Sequence, residues 1–491
     1  MTRTIPKTVA IIGAGPCGAG AAKAFIEEGD FEITIFEKRS GTGGLWNYTT
    51  ELDAETTPIP CESHTFETSS VFNKEKNEYI WPSPVYDSLD TNVPKDIMSY
   101  NGIPFPSELP LFPHRSDVCK YMKDFAAPLE KYIRFNTKII SIERDETDTK
   151  WVVVSRPVVA ETEGAKIAAK SGEFQDSIDE FDAVVIATGN YDVPYIPHRD
   201  GMEAWTAKYP HSIDNVKNYR SAKQFEHIKG NILVVGNSAS ANDLCFQLTQ
   251  DLKREIYKSK RSENVMPAGS SQLIKEVPDI KRFDAETKEV HFIDGTKLEN
   301  VDKIVFATGY LLSLPFFKKI NAGDKPLLTD GRRVHGIYEH ILLHEHPNLA
   351  IIGLARYILP TRTAETQGSW AAKIFAGKLP YPSKEKMLEW ESERVATKGD
   401  GKPFHDLLFP EDVHYCNRLN DQVVEANTGL IPFIWDREQI SIRGSIKDIK
   451  EAYIKYRTAT GKLASSYQEL VESGYLKSFM LTDAELKEKG F

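Results

Sequence analysis

No two cysteines in this chain stand close enough to act as a pair. There are five, Cys17, Cys61, Cys119, Cys245 and Cys416, and no CxxC occurs. That excludes a redox-active disulfide and a disulfide framework, and it fits a reducing compartment. Long apolar runs are also missing: none approaches the ~18 residues of a membrane span. Residues 1–7 are too short and polar for a signal peptide and run straight into an apolar strand, so a cytoplasmic protein is expected. Cations are in deficit, 61 Lys and Arg against 71 Asp and Glu, for a net charge of −10. That balance disfavours nucleic acid or an anionic membrane as the main partner. No metal is expected either. His344-Glu345-His346 precedes Pro347 at a strand start with no further ligand spacing, and it reads as a surface loop. What remains is ordinary: 491 residues, 41% apolar and 27% charged, enough for two or more domains.

The most informative stretch is near the beginning. An apolar run, Thr8–Ile12, leads into Gly13-Ala14-Gly15-Pro16-Cys17-Gly18. Residues Pro16–Glu28 suit a helix, with Gly29 placed to end it. A second β-rich run then closes on Glu37. Strand, glycine turn, helix, strand and acid form the dinucleotide-binding unit. Gly13 makes the turn, Gly15 lets a pyrophosphate approach, and Gly18 lets helix and strand pack closely. The helix N-terminus offers free N–H groups to phosphate, and Glu37 can accept from ribose hydroxyls. Lys38 and Arg39 follow, then a second glycine pair, Gly43-Gly44-Leu45-Trp46, where backbone can again approach a ligand and Trp46 offers a flat wall.

Residues 51–87 show little periodicity and read as a long surface insertion. Asn92, in Leu89-Asp90-Thr91-Asn92-Val93-Pro94-Lys95, can both donate and accept; by itself it reads as a turn residue. Ser116 is placed to cap a helix over 118–132. Residues 139–155 read as a strand pair and 161–177 as an exposed loop. A buried strand then ends in Ala187-Thr188-Gly189-Asn190, small residues that allow close approach.

The plan recurs. Asn231–Val235 is a strand, Gly236-Asn237-Ser238-Ala239-Ser240 the turn, and 242–252 a helix. Ser and Ala replace the later glycines. About 20 residues on, where an acid would hold a free ribose, stand Lys258, Lys260 and Arg261; cations there suit a 2′-phosphate and favour NADP over NAD. Residues 290–297 suggest a hairpin, and 301–306 a strand that again closes in Ala307-Thr308-Gly309-Tyr310. Residues 361–377 have helical spacing, and 383–491 read as charged helices. The turn at Gly236 also resembles a hydrolase nucleophile elbow, but its closing glycine is missing and no motif places a histidine.

Two dinucleotide sites without paired cysteines imply electron traffic between two cofactors. At this point the chain resembles the flavin-containing monooxygenases of the yeast and fungal kind. The likeness rests on the first glycine turn with Glu37, on Gly43–Trp46, on the Leu89–Lys95 segment, on Val234–Asp243 and on Ala307–Tyr310. Residues 347–354 and a helix with Glu365 and Gln367 also resemble the family. The resemblance implies an α/β fold of two nested, Rossmann-like, three-layer domains. A discontinuous FAD domain spans 1–208 and 326–491 with a helical C-terminal extension, and an NADPH domain is inserted at 209–325. It implies FAD held by Gly13, Gly15, Pro16, Cys17, Gly18, Glu37, Lys38, Arg39, Gly44, Leu45, Trp46, Thr91, Asn92, Thr188, Gly189, Asn190 and Gln367. It implies NADPH held by Gly236, Asn237, Ser238, Ala239, Ser240, Lys258, Arg261, Thr308, Gly309 and Tyr310. It further implies oxygenation, through a C4a-hydroperoxyflavin, of a small-molecule amine, thiol or sulfide, with O2 as co-substrate and Asn92 as the active-site residue.

One motif departs. The family signature FxGxxxHxxxF/Y should precede the second turn. Placing His211 on its His puts Trp205 and Ala207 on its Phe and Gly; placing Tyr219 on its last aromatic puts Asn215 on its His. Neither register is intact. Two alternatives stay open: a Baeyer–Villiger-type oxygenase using Lys95 or Arg115 beside a peroxide, and an uncoupled NADPH oxidase or redox sensor. Oligomeric state stays open too, a homodimer included.

Overall fold

A computed structural model describes residues 5–51, 57–158, 175–261 and 269–491. Much of the predicted 161–177 loop lies outside them. The β-branched run Thr8–Ile12 forms β1. α1 (Pro16–Glu28) starts on proline, whose fixed φ suits a first turn, and stops at Gly29, which is left-handed at φ 82°. β2 (Glu32–Phe36) follows. α2 (Arg115–Ala126) is capped by His114, whose Nδ1 accepts the Ser116 N–H at 3.3 Å. Ser116, expected as the cap, lies inside the first turn. β3 (Ile133–Arg134) and the fully buried β4 (Ala183–Ile186) come next.

The second sheet uses β5 (Ile213–Asn215), β6 (Asn231–Val235), β7 (Ile256–Ser259), β8 (Ile274–Val277) and β9 (Val301–Phe306), with α3 (Ala239–Leu252) after β6. The chain then returns to the first sheet through β10 (Ile337–Tyr338), β11 (Leu342–Leu343) and β12 (Leu349–Ile351). Two C-terminal helices matter below, the buried α4 (Pro360–Phe375) and α5 (Ile446–Thr460).

The first sheet runs β10-β11-β12-β4-β1-β2-β3, the second β5-β9-β6-β7-β8. The second is parallel throughout; the first is parallel except at the β10-β11-β12 edge. In each, the strand before the glycine turn lies between the strand after the following helix and the strand ending in Ala-Thr-Gly. Such a neighbourhood opens a crevice at the carboxyl ends of the strands. Apolar faces of helix and sheet meet in separate buried clusters, Val9, Ile11 and Phe25 in one and Leu233, Ile304 and Phe292 in another.

The strand pair predicted over 139–155 is present as Thr137–Arg144 and Trp151–Pro157, and a third strand, Ser177–Phe181, joins it. The predicted hairpin over 290–297 forms. Residues 58–79 are mostly exposed or half-buried, as a surface insertion would be, but most of the rest of the described part of 51–87 is packed in. Trp81, Ser83 and Val85 are buried, the Trp81 indole donates to the Lys38 carbonyl, Cys61 bridges Ile196, and Arg220 reaches the Glu51 carbonyl at 2.8 Å. The segment touches both halves of the molecule, at Lys38 and at Arg220, and its buried residues follow no period that a sequence could display.

Candidate functional site

The first glycine turn is built by close backbone contact. A Cβ on Gly18 would stand 1.9 Å from the Gly13 oxygen. Gly44, at φ +55°, lies where a Cβ would meet the Gly15 Cα at 2.8 Å, and Gly43 N–H donates to the Ala14 carbonyl. The two glycine pairs therefore form one cradle. No side chain caps α1, so its first N–H groups face outward. Glu37 is buried; one carboxylate oxygen accepts from Ala14 N–H at 2.8 Å and the other from Arg39 N–H at 2.9 Å. It braces the turn, and each oxygen keeps a further lone pair.

The flanking cations are committed elsewhere. Lys38 pairs with Asp192 at 3.2 Å and lies over Trp81, and Arg39 donates to the Trp81 carbonyl. Asp192 also takes the buried Lys217; burial opposes its charge, but Lys38 and Lys217 hold its carboxyl well below the usual range. The Leu45 carbonyl accepts from the Ser83 hydroxyl, and Trp46 packs on the core. Burial pushes the Cys17 thiol up to about 12, so it is a packing group and not a thiolate.

The Ala-Thr-Gly segments are stapled together. Ala187 N–H donates to Ile12 beside the first turn, and Ala307 N–H to Val235 beside the second. Past them, Val193–Pro194 pairs antiparallel with Tyr310–Leu311. Tyr195 N–H donates to Gly309, and its carbonyl accepts from the Thr308 hydroxyl. Tyr191 and Tyr310 meet edge to face at 5.5 Å. Thr188 and Gly189 are exposed at this crevice, while Asn190 donates to the Gly353 and Leu354 carbonyls. Gln367, expected to touch a cofactor, is buried one layer behind. Its carbonyl accepts from Gly353 N–H and its amide donates to Tyr415, so both ends are used.

At the second turn, Gly236 N–H donates to Ser259, as Gly13 does to Phe36. Ser238 stands at the N-cap of α3 without a side-chain cap bond, with Asn237, Ala239 and Ser240 in the turn around it. Lys258, expected at a phosphate, has its ammonium engaged within the protein. It is buried on β7, bonded to Asn242 at 2.8 Å and to Glu276 at 3.0 Å, because strand alternation turns it into the sheet's packing layer. Arg261 is exposed past the strand end. It meets cations that no local signal revealed. Lys402 lies 4.8 Å from the Tyr195 ring, next to Gly309. Burial, then Arg356, Arg332 and Arg261, draws the Lys402 ammonium down to about 8. Four cations from separate parts of the chain converge beside the second Ala-Thr-Gly.

Asn92 sits on a pinned loop. Thr91 donates its N–H to Pro113 at 3.0 Å and its hydroxyl to Val93 at 2.8 Å; its carbonyl accepts from Lys450. Among the described residues the half-buried Asn92 carboxamide has no hydrogen-bond partner. Lys95 and Arg115 are not poised for a peroxide. Lys95 is buried and bonded to the Ser107 and Leu109 carbonyls; Arg115 pairs with Asp87 and stacks on Tyr48 at 3.7 Å. In the altered signature region, Trp205, Asn215 and Tyr219 are buried and His211 is exposed at φ +64°. His344, expected on a surface loop, is buried.

The flavin-binding monooxygenase-like family profile matches residues 72–272 and 271–424, and an NAD(P)-binding Rossmann-like profile matches 11–79. The chain belongs to the flavin-binding monooxygenase-like family. Flavin-containing monooxygenase FMO GS-OX-like 9 of Arabidopsis thaliana is 28% identical, covering 97% of this chain and 98% of its own. Thiol-specific monooxygenase of Saccharomyces cerevisiae is 27% identical over 92% of this chain and 94% of its own. The structure of S-allyl-L-cysteine S-oxygenase from Allium sativum superposes with a TM-score of 0.71 at 23% identity, covering 96% and 98% of the two chains. This monooxygenase is thus an oxidoreductase whose cofactors are FAD and NADPH. The residues present fit both groups: two uncapped helix N-termini on glycine turns, and at the first a cradle that a Cβ would fill. No described helix is long and apolar enough to cross a membrane.

Proposed function

We propose that this monooxygenase consumes NADPH and O2 to place one oxygen atom on a nucleophilic nitrogen or sulfur of a small molecule. The observation that carries the reading is the staple at Val193–Pro194 and Tyr310–Leu311, which ties the ends of the two dinucleotide crevices together. FAD occupies the Gly13–Gly44 cradle with Glu37 at its ribose, and NADPH the turn at Gly236–Ser240. The domain division follows as 1–208 with 326–491, and 209–325. Bound there, FAD would supply the passage of two electrons from NADPH to O2 that the oxygenation requires, with one oxygen atom going to the substrate lone pair and the other to water.

The protein's part is binding, orientation and exclusion of water. Tyr191 and Tyr310 wall the crevice. Asn92 supplies a neutral donor and acceptor, which positions polar atoms without delivering a proton as an acid would. Arg261 with Lys402 and Arg332 takes the 2′-phosphate. The name of the thiol-specific yeast relative supports an oxygenase on a soft nucleophile. The engagement of Lys95 and Arg115 disfavours ketone oxygenation, which needs a cation beside a peroxide anion. Asn92→Ala tests the site: FAD stays bound while product per NADPH falls at least ~10-fold. Wild-type product formation by that variant removes Asn92 from the chemistry.

A further inference from the structure

The family profile ends at residue 424, yet the chain continues to Phe491 through further helices, of which α5 packs on the Asn92 loop. α5 contributes two cations to that loop. Lys450, buried, donates from Nζ to the Thr91 carbonyl at 2.6 Å, and Arg457 pairs with Asp90 at 2.6 Å. Beyond α5, the Ala464 carbonyl accepts from Leu111 N–H, and the Leu111 carbonyl accepts from Lys95 N–H. Lys450 also lies over Phe112 at 4.4 Å.

A buried ammonium is expensive and is kept where it is paired or hydrogen-bonded. Here the groups that face it come from three elements. Asp90 is on the loop, Asp243 is on α3 of the second sheet's unit, and Arg457 is on α5 itself. Asp243 in turn accepts from the Tyr86 hydroxyl and from Gln247. Thr91 has its N–H, hydroxyl and carbonyl all fixed, and the carbonyl is fixed by Lys450. The next peptide unit carries the one side chain of the segment proposed to act at the reacting centre, and that side chain makes no protein hydrogen bond of its own among the described residues.

We propose that Lys450 is a positioning residue for Asn92: by gripping the Thr91 carbonyl from α5, the C-terminal extension sets where the Asn92 carboxamide stands. The inference rests on the Asn92 reading above. A charge-assisted hydrogen bond is stronger than a neutral one, so the grip weakens when the ammonium loses its proton. Burial is the main influence on this group and draws it down to about 8, against the pull of Asp90 and Asp243.

The test uses full-length holoenzyme and the variants Lys450→Met, Lys450→Arg and Asn92→Ala. Lys450→Met should keep FAD and anaerobic flavin reduction by NADPH within twofold. Product per NADPH should fall at least fivefold, with H2O2 rising to match, and amide exchange over residues 89–95 should quicken about tenfold. Lys450→Arg should restore at least half of the product yield. In the wild type that yield should decline as pH rises through about 8; Lys450→Arg, whose cation persists, should show no such step. If Lys450→Met keeps wild-type yield and exchange while Asn92→Ala uncouples, the inference is overturned and the Asn92 reading survives. If Asn92→Ala is itself fully coupled, the underlying reading fails.

Discussion

Gly18→Ala is the most severe single-methyl change the structure identifies in the first cradle. The new carbon would lie 1.9 Å from the Gly13 carbonyl oxygen and 2.9 Å from its carbon, both backbone atoms in the turn itself. Real carbon–oxygen contacts stay beyond 3.0 Å, so α1 would have to withdraw by about 1 Å. It has nowhere to go. On its far side α1 meets α4 without slack: a Cβ on Gly368 would already lie 2.8 Å from Ala21 Cα, and one on Gly20 3.1 Å from Ala364. Overpacking a core where side chains can yield costs about 1–3 kcal/mol, and here no side chain is available to yield, so a loss of at least about 3 kcal/mol is expected. The same shift moves the helix N-terminus off the cradle, so FAD is lost too. Gly41→Ala is the internal control: nothing lies within 4 Å of its Cβ position, and it should change stability by less than about 0.5 kcal/mol. FAD content by absorbance ratio and the urea midpoint read both effects. Stoichiometric FAD and a wild-type midpoint in Gly18→Ala would refute the packing argument.

Three further outcomes are expected. Lys402→Met should weaken NADPH binding about 10-fold, near the 1.4 kcal/mol of a lost charge-assisted contact, and leave NADH binding unchanged; titration of both nucleotides checks it. Lys258→Met should leave the preference for NADPH over NADH within about twofold, since its ammonium is spent on Asn242 and Glu276; an altered preference would restore the sequence-based role. The buried His340–His405 pair should make the fold acid-sensitive. His405 Nε2 accepts from Val334 N–H, so its Nδ1 carries the proton and donates to His340 Nδ1 at 3.0 Å. Burial holds both rings well below 6.5. Their contribution is therefore complete above pH 6.5 and declines as pH falls below it, where the unfolded chain binds protons that the folded pair refuses. Urea midpoints between pH 7.5 and 5 should fall, and less so in a His340→Leu, His405→Leu double variant.

The two crevices were legible because each is written in local pattern. Glycine spacing, apolar strands and an acid or cation about 20 residues on lie within one short window, and α1 formed over Pro16–Glu28 as read. The nested order of the sheets followed from the repeat of Ala-Thr-Gly. What failed to show was everything set by distant packing. That Lys258 faces inward to Asn242 and Glu276 is set by strand register, which no local pattern displays. The partners of Gln367, Gly353 and Tyr415, were likewise unreadable, because a buried helix sets them. Lys402, Arg332 and Lys450 carry no motif: Lys402 meets the Tyr195 ring from more than two hundred residues away, Arg332 lies past the second Ala-Thr-Gly in an irregular stretch, and Lys450 lies beyond the family's matched span. Within 51–87, residues 80–83, 85 and 86 misled because they are buried against distant parts of the chain without any period.

Oxygen-18 labelling decides whether the product's oxygen comes from O2. The wild-type holoenzyme is supplied with NADPH, 18O2 and a thioether or tertiary amine in unlabelled water, and the product is analysed by mass spectrometry. The expected product is a sulfoxide or N-oxide carrying one 18O per molecule, formed in step with NADPH oxidation. Product with oxygen from water, or NADPH consumed with 18O-labelled H2O2 as the sole oxygen product from every substrate offered, would contradict the monooxygenase reading.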